Sequence, residues 1–241
     1  MRKELKLKTP DKKTLYGTLD SSAKTSSKLV VFVHGLASNQ NDHLFFNAAQ
    51  FFPKESYDTF RFNLYGWQKD ARNLREITIA QQARDLDSIV RYFTGKYQKI
   101  FVVGHSLGGP TIFLSDTSKA TALVLWDPSF DLRKLVSKKD FNKEYNAYVF
   151  EWGPSLIFGN KMYEEYRNFP NPLDLIKKVK VPIKIISAGK NKVLVKGCRE
   201  YYKYANEPKA LVVIKNAHHN FDEEGTEMQL FEETLRWIKK F

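Results

Sequence analysis

Three short stretches of this sequence carry side chains whose types and spacing suit acyl transfer. The first is Gly104-His105-Ser106-Leu107-Gly108, followed by Gly109, directly after apolar KIFVV and directly before a helical stretch. A sharp strand-to-helix turn makes a serine project, and flanking glycines let the chain pack closely around it. The helix N-terminus behind Ser106 favours negative charge developing beside it. The second stretch is His34-Gly35 at the end of LVVFV. Leu36, next in the chain, offers a backbone N–H and Leu107 offers another; two donors aimed at one point make an oxyanion hole. His34 itself reads as a hydrogen-bonded turn residue. The third is Asn216-Ala217-His218-His219-Asn220-Phe221, after the last apolar run, where a histidine can reach the serine hydroxyl as a base.

Other chemistries find less support. Adjacent histidines rarely share one ion, so a metal site built on His218, His219 and Asp222 is not expected. Gly104–Gly109 lacks the Lys-Ser/Thr ending of a phosphate loop, and no G-x-G-x-x-G occurs, so no nucleotide or other cofactor is expected. Cys198 has no base near it in sequence and makes a poor nucleophile.

These residues need a frame to hold them. LKLKT alternates at period two and TLYGTL follows a Pro10-Asp11 turn, as in an antiparallel sheet edge. LVVFVHG, KIFVVGHS, ALVLWD, IKIISAG and LVVIKNA are continuous apolar runs, the mark of strands buried on both faces. FRFNLYG reads as a further short strand after a helical segment around Phe45 to Phe52. Ile79, Ala83, Leu86, Val90 and Phe93 recur at helical spacing, and Met228, Phe231, Leu235 and Ile238 mark a closing helix. Strands alternating with helices imply an α/β fold with a mostly parallel central sheet covered on both sides.

One interval breaks the alternation. More than fifty residues separate ALVLWD from IKIISAG, and they include Phe141, Tyr145, Tyr148, Phe150, Trp152, Phe158, Tyr163, Tyr166 and Phe169. The expectation is one domain over residues 1–241 with a small helical cap inserted at about 129–180, above the sheet edge where ligands bind.

Composition is consistent with this frame. A chain of 241 residues with 42% hydrophobic residues can bury a substantial single core. The start MRKELKLKTPDKK has no apolar h-region, and no apolar run is long enough to span a membrane. A single cysteine, Cys198, forms no internal disulfide and suits a reducing cytoplasm, the expected location. The net charge of +12 invites a nucleic-acid reading. Its lysines and arginines are scattered among acids, however, and no nucleic-acid signature accompanies them, so none is expected as a partner.

Taken together, His34-Gly35, the Phe60–Gly66 strand and turn, Gly104–Gly109, the Ala188–Val195 loop and Ala217–Phe221 resemble the α/β-hydrolase fold, specifically its small capped serine hydrolases such as esterases and acylglycerol lipases. The matching segments span nearly the whole chain in the expected order. The resemblance implies Ser106 as nucleophile and the Leu36 and Leu107 amides as oxyanion donors. The pattern Ala-x-His-x-Phe selects His219 as base. It also implies a triad acid between Ser106 and His219 in the chain. In SAGKNKVLV, Asn191 stands where the family's aspartate is expected. Three readings follow: Asp127, at the end of ALVLWD, is the acid, and this is favoured; Asn191 serves in place; or the site has lost its chemistry. Asp222 reads as a helix-start cap. The expected function is hydrolysis of a small-molecule carboxylic ester or thioester through an acyl-enzyme. The alternative is a non-catalytic binding protein with a degraded triad.

Overall fold

The computed structural model describes residues 1–23, 25–151 and 155–241. Eight strands form the central sheet. In chain order they are β1 (Arg2–Lys8), β2 (Thr14–Asp20), β3 (Lys28–Val33), β4 (Asp58–Phe62), β5 (Lys99–His105) and β6 (Ala122–Trp126), with two more after the long insertion. The insertion holds three short strands, β7 (Phe141–Asn142), β8 (Ala147–Glu151) and β9 (Ser155–Phe158). The last two strands of the main sheet are β10 (Ile183–Ala188) and β11 (Lys209–Ile214). The spatial order is β1-β2-β4-β3-β5-β6-β10-β11. β1 and β2 form the antiparallel edge expected from their alternation, β2 pairs antiparallel with β4, and every pairing from β4 to β11 is parallel.

The apolar runs become strands because helices bury them from both sides. One face of the sheet is covered by α1 (His43–Phe51) and α7 (Thr226–Ile238), which close over Phe32, Val103, Trp126 and Ile186. Trp126 donates its indole N–H to Thr234 on α7 at 2.9 Å, so even this wholly buried ring has its polar atom satisfied. On α7 the predicted stripe holds at Phe231, Leu235 and Ile238, whereas Met228 is exposed, because it lies in the first turn outside the buried face.

The other face carries α2 (Ile79–Phe93), α3 (Gly108–Leu114) and α6 (Lys192–Tyr204). All five apolar residues expected on one side of α2 are buried, and Thr78 caps the helix by accepting the Gln81 N–H. Between β6 and β10 the expected helices are present as α4 (Asn160–Arg167) and α5 (Pro172–Ile176). They are joined there by the separate antiparallel sheet β7-β8-β9. Aromatic, β-branched residues such as YVF and LIF favour strands at this spot. Phe150, Phe158, Tyr166 and Phe169 from this segment are buried in the same cluster as Val31, Val102 and Leu125 of the main sheet, while Phe141 and Tyr145 are exposed. Trp152 lies outside the described residues. No helix among the described residues is long and apolar enough to cross a membrane.

Candidate active site

The parallel strands all end on one edge, and the sequence-selected residues gather there. β5 runs through His105 and turns at Ser106 into α3, with Ser106 at φ 54°, in the left-handed region that side chains other than glycine avoid. That local cost is offset by three backbone hydrogen bonds. The Ser106 N–H donates to Trp126 O at 3.0 Å, and Ser106 O accepts from Gly109 and Ser129. The elbow also needs Gly108: a Cβ there would stand 2.3 Å from the Val33 carbonyl oxygen. The serine hydroxyl projects from the turn to lie 3.5 Å from Ser129 Oγ, the outer limit of a hydrogen bond. Among the described residues none joins it to His219.

Beside the elbow, β6 ends in a second constrained residue. Asp127 has φ 41° and its N–H donates to Ile186 O at 2.7 Å. Its carboxylate is wholly buried, which is tolerable only if both oxygens are engaged. They are: Oδ1 accepts from Ser187 Oγ at 3.1 Å and from the Ala188 N–H at 3.0 Å, and Oδ2 lies 2.6 Å from His219 Nδ1. With an ionised carboxylate against it, Nδ1 carries the ring proton and Nε2 keeps its lone pair.

His219 is placed by the loop from β11 to α7. The loop is clamped at several points: Phe221, at φ 53°, donates its N–H to His218 O, Lys190 donates its N–H to Ala217 O, and His43 Nε2 meets Asn220 O at 2.9 Å. His105, the second residue of the elbow motif, approaches the carbonyl oxygen of His219 with Nε2 at 2.9 Å, and the two rings lie 4.7 Å apart. Burial, reinforced by the neighbouring His219, pushes the His105 pKa down to about 3. His105 is therefore neutral and its Nε2–H donates to that carbonyl. His218 is exposed and pairs with Glu223.

The turn that follows β3 lies beside Ser106. His34 is buried, accepts the Leu64 N–H on Nε2 at 3.0 Å, and contacts Gly35 O through Nδ1. Burial lowers its pKa to about 4, so it acts as a neutral tie between the ends of β3 and β4. Gly35 lets this turn approach Ser106, since a Cβ there would stand 2.9 Å from Ser106 Cβ. Leu36 follows it, half-buried, and Leu107 is buried behind Ser106. Neither backbone N–H has an acceptor within the described residues, so both remain available.

Of the two acid positions, the structure brings Asp127 to His219 and leaves Asn191 elsewhere. Asn191 is the N-cap of α6, its side chain accepting the Leu194 N–H at 3.2 Å. The N-cap of α7 is Gly225, so the exposed Asp222 is not the helix cap that sequence reasoning expected of it. Sequence reasoning did not single out Ser129, Ser187 or His105, although each touches a site residue. Their only signal was adjacency to the motifs already identified. Among the described residues no group of three or more His, Cys, Asp or Glu side chains could hold a metal ion.

Comparison with known proteins adds the relationship. The model of the alpha/beta hydrolase family matches residues 30–224. Among solved structures, the chain is similar to Est1E from Butyrivibrio proteoclasticus with ferulic acid bound, at TM-score 0.84 and 14% identity, covering 98% of each chain. It is also similar to the esterase domain of a Rhodothermus marinus protein, at TM-score 0.78 and 16% identity, covering 100% of this chain and 98% of that one. Mouse alpha/beta hydrolase domain-containing protein 10 superposes at TM-score 0.79 and 17% identity over 99% of both chains. At such identities the likeness is one of fold. No curated protein sequence matches.

Proposed function

Because the chain belongs to the alpha/beta hydrolase family, we propose that it is a serine hydrolase that cleaves a small-molecule carboxylic ester or thioester through an acyl-enzyme. Ser106 is the nucleophile, His219 the general base and Asp127 the acid of the triad. The observation that carries the reading is the pair formed by the buried Asp127 carboxylate and His219 Nδ1 at 2.6 Å, on the sheet edge where Ser106 projects from its elbow.

The steps follow from that arrangement. Substrate enters with its carbonyl oxygen toward the Leu36 and Leu107 N–H groups. Ser106 turns about its Cα–Cβ bond away from Ser129 and gives its proton to His219 Nε2 as Oγ attacks the carbonyl carbon. The two amides stabilise the oxyanion, and Asp127 stabilises the imidazolium. His219 then protonates the leaving alcohol or thiol. Water, deprotonated by the same nitrogen, releases the carboxylic acid and restores Ser106. The segment 129–180 is proposed as the cap that receives the acyl or aryl group.

A second reading, a non-catalytic binder on the same fold, draws on the Ser106 hydroxyl contacting Ser129 and not His219. A fluorophosphonate probe and a p-nitrophenyl ester separate the two. The hydrolase reading expects covalent labelling and turnover, both abolished in Ser106→Ala. An unlabelled wild-type protein, or wild-type turnover in Ser106→Ala, overturns it.

A further inference from the structure

We infer that Ser187 is a positioning residue for the triad acid: its hydroxyl, with the Ala188 N–H, fixes the Asp127 carboxylate so that Oδ2 faces His219. The inference rests on the triad proposed above. Ser187 is wholly buried on β10, whose parallel pairing with β6 ends at Ile186 opposite Trp126, one residue short of both Ser187 and Asp127. Both donors reach the same oxygen, Oδ1, at 3.1 and 3.0 Å. They leave Oδ2 as the oxygen that meets His219. Without the hydroxyl, one N–H alone would set the tilt of the carboxylate, inside a protein where each donor to a buried charge counts heavily.

The rest of the β10–α6 unit is built around the same turn. Cys198 of α6 is wholly buried, near enough to the Asp127 carboxylate to feel its charge. Tyr201 donates its hydroxyl to Ser129 O at 2.9 Å, and Gly197 lets the helix approach Phe130, where a Cβ would stand 2.6 Å from Phe130 Cβ. The segment SAGKNKVLV therefore does not present a carboxylate to the histidine. It supplies the donors and the wall that hold a carboxylate carried one strand away.

The titratable neighbours are few. His105 faces His219 from β5 and stays neutral down to about pH 3. From α6, the Cys198 thiol is pushed up to about 12 by burial and then by the Asp127 charge, and burial raises the Tyr201 hydroxyl well above its ordinary value. His218 with Glu223, His43 on Asn220 O and the exposed Lys190 complete the edge, and all stay unchanged in the variants, so differences between variants report the His219–Asp127 pair.

The test measures kcat, KM and the acid limb of the pH–rate profile on a p-nitrophenyl ester. Ser187→Ala is expected to lower kcat about tenfold with KM little changed. Its acid limb moves to higher pH, because a carboxylate relieved of one donor holds more charge against the imidazolium. Ser187→Thr, which keeps the hydroxyl, restores most of kcat. In an Asp127→Asn background, where the amide oxygen still accepts from Ser187, Ser187→Ala costs nothing further, since the charge that the hydroxyl aims at His219 is already gone. Because stability itself falls with pH, each rate is divided by the folded fraction measured at the same pH by circular dichroism, so a folding defect cannot imitate the shift. An unmoved limb in Ser187→Ala, or the same tenfold loss on top of Asp127→Asn, makes Ser187 a packing residue and overturns the inference. Wild-type turnover in Ser106→Ala would instead overturn the triad reading, a separate outcome.

Discussion

Replacing Asp127 by asparagine removes one charge and almost no volume, and the surrounding donors dictate how the new amide must sit. The Ala188 N–H is a fixed backbone donor aimed at Oδ1, and Ser187 Oγ lies on the same oxygen. The amide oxygen must occupy that position, because an NH2 there would face an N–H. The NH2 is then left against His219 Nδ1. To accept from it, Nδ1 must give up its proton, and the ring becomes the tautomer protonated on Nε2, with no lone pair for Ser106. The imidazolium also loses its counter-charge. Loss of a triad aspartate's charge in a serine protease costs about 10⁴ in kcat, or about 5 kcal/mol of barrier. Steady-state hydrolysis of a p-nitrophenyl ester should therefore show kcat of Asp127→Asn down about 10³ to 10⁴, with fluorophosphonate labelling slowed in parallel. Asn191→Asp is the control. Aspartate caps a helix as well as asparagine does, so stability and kcat should stay near wild type. A kcat for Asp127→Asn within tenfold of wild type, or a rise by orders of magnitude in Asn191→Asp, would refute the reasoning.

Two further outcomes are expected. His34 and His105 are buried with pKa values lowered to about 4 and about 3, so between those values and about 6.5 only the unfolded chain takes up their protons. Stability therefore falls as pH drops through about 6.5, by about 2 kcal/mol for each histidine at pH 5; urea midpoints should follow, with a shallower slope in His105→Gln, and an equal slope would contradict the assignment. Gly35→Ala should cut kcat about ten- to a hundredfold with little change in KM, because its methyl must displace the Ser106 side chain from 2.9 Å; a circular dichroism spectrum and thermal midpoint near wild type are needed for that reading, and unimpaired turnover would sink it.

Much of the frame could be read from residues alone because period and punctuation are local. Apolar runs such as KIFVV and IKIIS can be buried on both faces only within a parallel sheet, and Ile79 to Phe93 can share one face only as a helix. The glycines around Ser106 announced a tight strand-to-helix turn in the same way. Three matters lay beyond such signals. The aromatics of the insertion are the first: nothing local distinguishes a ring that lines a pocket from one that joins the main core, and Phe150, Phe158, Tyr166 and Phe169 do the latter. The second is Asn191, where a cap signal and an acid-position resemblance coincide, and only the position of Leu194 N–H settles which contact the side chain makes. The third is the partner of His219. Asp127 stands 92 residues away, on a strand separated from β11 by β10. The sequence by itself determined which residue types stood ready at the strand ends. Tertiary structure decided which of them meet, because a buried carboxylate is stable only where strand order and register bring Ser187, Ala188 and His219 to its two oxygens, and that is a property of the assembled sheet.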